Sequence, residues 1–77
     1  MGKSYQYYAT ELELAMALYE DNTNLMCAIM QNPHQGDYGQ KLDVTRAEDK
    51  VIVRRIVYLE TMLANFKLLG KRWKPNV

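Results

Sequence analysis

The sequence predicts an all-α protein: an antiparallel hairpin of two long helices that dimerises into a four-helix bundle. Three observations carry this prediction. Ile52, Ile56, Leu59, Leu63, Phe66, Gly70 and Trp73 recur at spacings of 4-3-4-3-4-3. That alternation puts them all on one side of an α-helix, and no strand has a use for it. Leu12, Ala15, Tyr19, Asn22, Met26 and Ile29 repeat the pattern in the first half of the chain. Between the two stripes lies a segment with a proline and two glycines, Pro33, Gly36 and Gly39, which interrupts the helical pattern.

Residues 1–8 are polar and aromatic, with Tyr5, Tyr7 and Tyr8 crowded together. They read as an extended lead-in that packs against the helices. Thr10, Glu11 and Glu13 then suit a helix start, where a hydroxyl and acidic groups meet the exposed amides and the positive end of the dipole. Helix one is expected over 9–32. Leu14, Leu18, Leu25 and Ala28 broaden its apolar arc, as in a helix that touches more than one neighbour.

Glu20-Asp21-Asn22-Thr23-Asn24 is a polar run longer than one turn. Either the helix continues with Asn22 in the seam, or it breaks and Asn22 or Thr23 caps a second short helix. The absence of Gly and Pro favours continuity. In a continuous helix Asn22 sits on the apolar face, where a single asparagine often sets register or oligomeric state.

Asn32-Pro33 ends helix one, since the residue before proline resists the α region. A loop is expected over 33–44. Thr45-Arg46-Ala47-Glu48 matches a capping box, which places the start of helix two at Thr45 and its end near Gly70. A basic tail covers 71–77. The whole chain reads as one domain of 77 residues.

Two helices joined this way fold back antiparallel. Glu11 and Glu13 then lie beside Lys67 and Lys71. One partner helix cannot cover the whole apolar arc of helix two, and a domain this small leans on external support. A sister copy is the expected cover, with Ile52, Ile56, Leu59, Leu63, Phe66 and Asn22 at the oligomer interface.

Composition narrows the function. Cys27 is the only cysteine and His34 the only histidine, so neither an internal disulfide nor a four-ligand zinc site is available. No cofactor is implied. Cys27, inside a Met-Cys-Ala-Ile-Met run, reads as a core residue, and Met16, Met26, Met30 and Met62 as core filler. Net charge is +1, no apolar run approaches the roughly 18 residues that span a bilayer, and the first residues lack the pattern of a signal peptide. The expectation is a cytoplasmic protein without a membrane partner. Glu11 and Glu13 are two apart and do not share a helix face, and Glu48 and Asp49 suit a helix start. No nucleophile has a base placed beside it in sequence, so enzymatic chemistry is not expected.

What remains is binding. The expected role is a protein-binding regulator or inhibitor of a larger machine, of the accessory kind that mobile genetic elements encode. Its candidate contact residues are Tyr5, Tyr7 and Tyr8, with His34 and Tyr38 in the loop. A second reading gives Arg54, Arg55, Lys71, Arg72, Trp73 and Lys74 to RNA or DNA, as cations around an indole that can grip phosphates and stack on a base. A third makes the chain a structural subunit of a larger oligomer.

Overall fold

The computed structural model describes residues 3–34, 36–70, 72 and 73. Two helices are present, α1 over Tyr5–Met30 and α2 over Tyr38–Leu69, packed on each other along their length, and no strand occurs among the described residues. The hairpin expected from the two apolar stripes is the observed fold.

Both helices begin earlier than expected. Residues 5–8 are helical rather than extended. The cap is Ser4, in extended conformation, whose side-chain oxygen accepts from the amide of Tyr7 at 3.3 Å. The first-half stripe therefore runs back through Tyr8 and Tyr5 with its spacing intact. Met1 and Gly2 lie outside the described residues.

α1 passes through Glu20–Asn24 without a break. At its end the Gln31 amide donates to the Cys27 carbonyl and the Asn32 amide to that of Ile29, and Pro33 prevents another turn. α2 starts seven residues before the capping box, so the connection is 31–37 rather than 33–44. Thr45 caps nothing. It is 3% exposed, and its hydroxyl donates to the Lys41 carbonyl one turn back, the usual refuge of a threonine inside a helix. The stripe of α2 extends upstream as Tyr38, Leu42, Thr45 and Asp49.

The core is concentrated at the end of the hairpin away from the loop. Leu59 and Phe66 are fully buried, and Tyr8, Ala15 and Met62 join them, flanked by Tyr5, Leu12, Ile56, Leu63 and Trp73. Phe66 is the hub. Its ring meets Tyr5 edge-on at 5.7 Å, Trp73 edge-on at 5.0 Å and Tyr8 at 5.9 Å. Gly70 makes the last contact reachable. Its φ of +91° lies where side chains are strained, and the Trp73 amide donates back to its carbonyl at 3.0 Å. This turn returns the indole to Phe66.

Toward the loop the seam holds Leu42, Thr45 and Asn22. The Asn22 amide donates to the Thr45 carbonyl of the opposite helix at 3.0 Å. Asn22 is therefore a tie within the hairpin that sets the register between the helices. Asn22→Ala should lower unfolding stability by about 1 kcal/mol, read as a fall in the urea midpoint with an unchanged slope. An unchanged midpoint would show that the tie contributes nothing.

The hairpin is a rod of 53 × 18 × 16 Å with a radius of gyration of 16.6 Å, against about 11.5 Å for a compact domain of this length. Its accessible surface is 5969 Å², where a compact monomer of 9.0 kDa exposes about 4,900 Å². Two thin helices leave two broad faces in water.

Candidate functional site

The surface is built from what the seam does not use. In α1 the seam residues are flanked on one side by Tyr7, Glu11, Leu14, Leu18, Asp21 and Leu25, again at 4-3 spacing. In α2 the matching stripe is Val44, Glu48, Val51, Arg55 and Tyr58. These stripes share one face of the hairpin. The Arg55 guanidinium donates to Glu11 across the helices at 2.9 Å, and Leu25 and Val44 line one groove there. Leu14, Leu18, Leu25, Val44 and Val51 are 54–63% exposed. This face carries an apolar row broken by Asp21 and Glu48, with the Arg55–Glu11 ion pair near the end that carries the aromatic core and the Lys41–Asp37 pair toward the loop.

The ion pair is set in aromatic company. The Arg55 guanidinium also lies over the Tyr58 ring at 5.9 Å. Partial burial works against its charge, but hydrogen bonding and attraction from Tyr7 and Glu11 outweigh that and hold the Arg55 proton more tightly than usual. Loss of water contact pushes the Tyr58 phenol above its ordinary 10.0, reinforced by a hydrogen bond with Tyr8.

The opposite face holds a groove of about 630 Å³. Met16 and Tyr19 form one bank and Val53, Ile56 and Val57 the other, with Glu20 and Glu60 at its edges.

The residues singled out in the sequence divide among core, surface and tail. Leu59 and Phe66 are buried inside one hairpin and Ile52, Ile56 and Leu63 are half-buried there, so this stripe is the intramolecular seam. Tyr8 is buried and Tyr5 packs on Phe66, which leaves Tyr7 as the exposed member of that cluster. His34 is exposed in the loop, and Tyr38 is the half-buried first residue of α2. Arg54 and Arg72 are exposed. Arg55 reaches across the seam to Glu11 at 2.9 Å, and the expected pairing with Lys71 lies outside the described residues. Trp73 is half-buried with its ring on Phe66, a position that competes with base stacking. Lys71 and Lys74 lie outside the described residues. Cys27 is exposed rather than core, and so are Met16 and Met30, while Met62 is buried and Met26 half-buried.

The missed feature is the face carrying Leu14, Leu18 and Leu25. Their spacing was visible as a broadening of the arc. The parallel stripe Val44, Val51 and Tyr58 was not, because Glu48 and Arg55 interrupt it. Among the described residues, no group of three or more His, Cys, Asp or Glu is placed to hold a metal ion, and no helix is long and apolar enough to cross a membrane.

Fold and surface together define a class: a two-helix hairpin with an unpartnered apolar face. No family model matches the chain, and no curated protein and no solved structure matches it either.

Proposed function

We propose that this chain is a non-enzymatic, protein-binding regulator or inhibitor that works in the cytoplasm as a homodimer of hairpins. The observation that carries the reading is the row of half-exposed Leu14, Leu18, Leu25, Val44 and Val51 on one face. Leu18 and Leu25 are seven apart, as are Val44, Val51 and Tyr58, the repeat of helices that pack side by side in bundles. Burying the exposed half of each of these aliphatic side chains is worth about 1 kcal/mol, gained on both copies. The surface of the rod in excess of a compact monomer, about 1,100 Å², is of the size that one partner contributes to a standard interface, about 800 Å².

Charge supports an arrangement. α1 carries Glu11, Glu13, Glu20 and Asp21 and no basic residue, whereas α2 carries six basic and four acidic residues. A two-fold axis parallel to the helices lays each acidic α1 over the partner's α2, and the other stacking lays α1 on α1. The first keeps Glu11 level with the Arg55 of both copies.

Light scattering on the eluting protein tests the reading. The expected mass is twice 9.0 kDa at micromolar concentration. A mass of one chain that persists up to millimolar concentration would remove it. Nucleic acid stands second, because Arg55 and Trp73 already have partners within the hairpin.

A further inference from the structure

Beyond Phe66 the end of α2 is held to the core by one side chain. Lys67, Leu68, Leu69, Gly70 and Arg72 are exposed. Among the described residues past Phe66, Trp73 alone packs against the core cluster, with its indole edge-on to Phe66 at 5.0 Å. The turn that brings it there depends on one backbone conformation. Gly70 has φ +91° and ψ 157°, a region that in effect belongs to glycine. No neighbour forces the choice, since a Cβ on Gly70 would meet nothing within 4 Å.

The same residues fit a second arrangement. Gly70 and Trp73 continue the 4-3 stripe of α2 in sequence. Pro75 opposes the α region at the residue before it, which leaves α2 free to run on as far as Trp73. In that helix Trp73 stands seven residues past Phe66, about 10 Å further along the axis, too far for the ring contact. The turn gains an edge-on ring pair, partial burial of an indole and a hydrogen bond from the Trp73 amide to the Gly70 carbonyl. The continued helix gives these up and gains its own backbone hydrogen bonds. These are small terms of similar size, so the residue at position 70 decides between them. Glycine disfavours helix and accepts positive φ, and both properties select the turn.

We propose that Gly70 is the pivot of a two-state clasp. In the closed state, the one this structure shows, the chain turns at Gly70 and the indole covers Phe66. In the open state α2 continues to Trp73, the indole moves about 10 Å along the rod, and the edge of Phe66 that it covered faces water. The clasp opens without parting the helices, because Leu59, Met62 and Tyr8 keep the rest of the core buried. It needs no sister chain.

Trp73 is the only tryptophan, so indole fluorescence reports the clasp and nothing else. The test compares three full-length chains: the parent, Gly70→Ala, and a chemically synthesised chain with D-alanine in place of Gly70. L-alanine is strained in the turn and favours the helix, so it should shift the balance toward the open state at least about tenfold. D-alanine has positive φ as its ordinary region and should hold the clasp closed. In Gly70→Ala the indole emission should move to the red and acrylamide should quench it several-fold more steeply than in the parent. Far-ultraviolet circular dichroism of that variant should keep its helical signal or gain slightly. The D-alanine chain should match the parent in all three readings. Parent-like emission and quenching in Gly70→Ala would overturn the proposal, as would a red shift in both variants. A red shift in Gly70→Ala accompanied by loss of helical signal overturns it as well, because the indole would then be part of the cooperative core rather than a clasp upon it.

Discussion

Phe66→Ala should bring the protein to the edge of unfolding at 25 °C. Phe66 is 1% exposed, and its ring touches Tyr5, Tyr8 and Trp73. Truncating a buried phenylalanine costs about 3–5 kcal/mol, the larger figure where the surroundings cannot collapse into the space. Three rings packed around one centre do not collapse easily. A domain of this length holds a folding free energy near the low end of 5–15 kcal/mol, so the loss is comparable with the whole. Far-ultraviolet circular dichroism should show a melting transition that begins near 25 °C, well below that of the parent. Phe66→Leu, which keeps part of the volume, should remain folded with a lower urea midpoint. If Phe66→Ala melts within a few degrees of the parent, the aromatic hub is not what holds the helices together.

Leu18→Lys should convert the dimer to a folded monomer. Leu18 is 57% exposed in the single hairpin, so lysine there leaves the seam untouched and the helical signal unchanged. In the proposed dimer the same position is covered, and by symmetry both copies bring an unpaired ammonium into the apolar row. Burying an uncompensated charge costs about 3 kcal/mol or more, so the dissociation constant should rise more than a hundredfold. Light scattering should register a mass near 9.0 kDa at concentrations where the parent is double that. Val57→Lys, on the opposite face, is the companion variant and should leave the mass unchanged. If both variants stay dimeric, the copies meet elsewhere. If Val57→Lys alone dissociates, the two faces have been assigned the wrong way round.

The sequence made the hairpin legible because the 4-3 spacing of Ile52 to Trp73 fits nothing but a helix, and because Pro33 marks where the chain turns. It misplaced both helix starts for one physical reason. A stripe identified by apolar residues stops at its first polar member. Thr45 and Asp49 continue the stripe of α2 upstream, but a threonine three residues ahead of a glutamate looks like a cap. What kept it inside the helix was the partner: Asn22 donates to its carbonyl, and its own hydroxyl turns inward to Lys41. Tyrosines near the start of the chain looked like interface residues for a similar reason. Tyr5 and Tyr8 have large area with a polar tip, and only tertiary structure reveals that Phe66 already occupies their rings. The seam stripe was given to a sister copy, although its deepest residues already have a neighbour within the hairpin. Leu59 and Phe66 do require a second helix, and α1 of the same chain is enough to bury them. Spacing reports which residues share a side, but not which neighbour covers it.

The densest aromatic packing in this molecule joins positions near opposite limits of the described chain, Tyr8 to Phe66 and Tyr5 to Phe66, while toward the turn the seam holds Leu42, Thr45 and the Asn22 amide. Folding must therefore close nearly the whole polymer into a ring before the main enthalpic reward arrives, an ordering that local helix formation cannot shortcut. A small helical protein is usually expected to fold among the fastest; this one has reason to be a slow member of that group, and Tyr8 meets its full set of rings only once Phe66 has been synthesised.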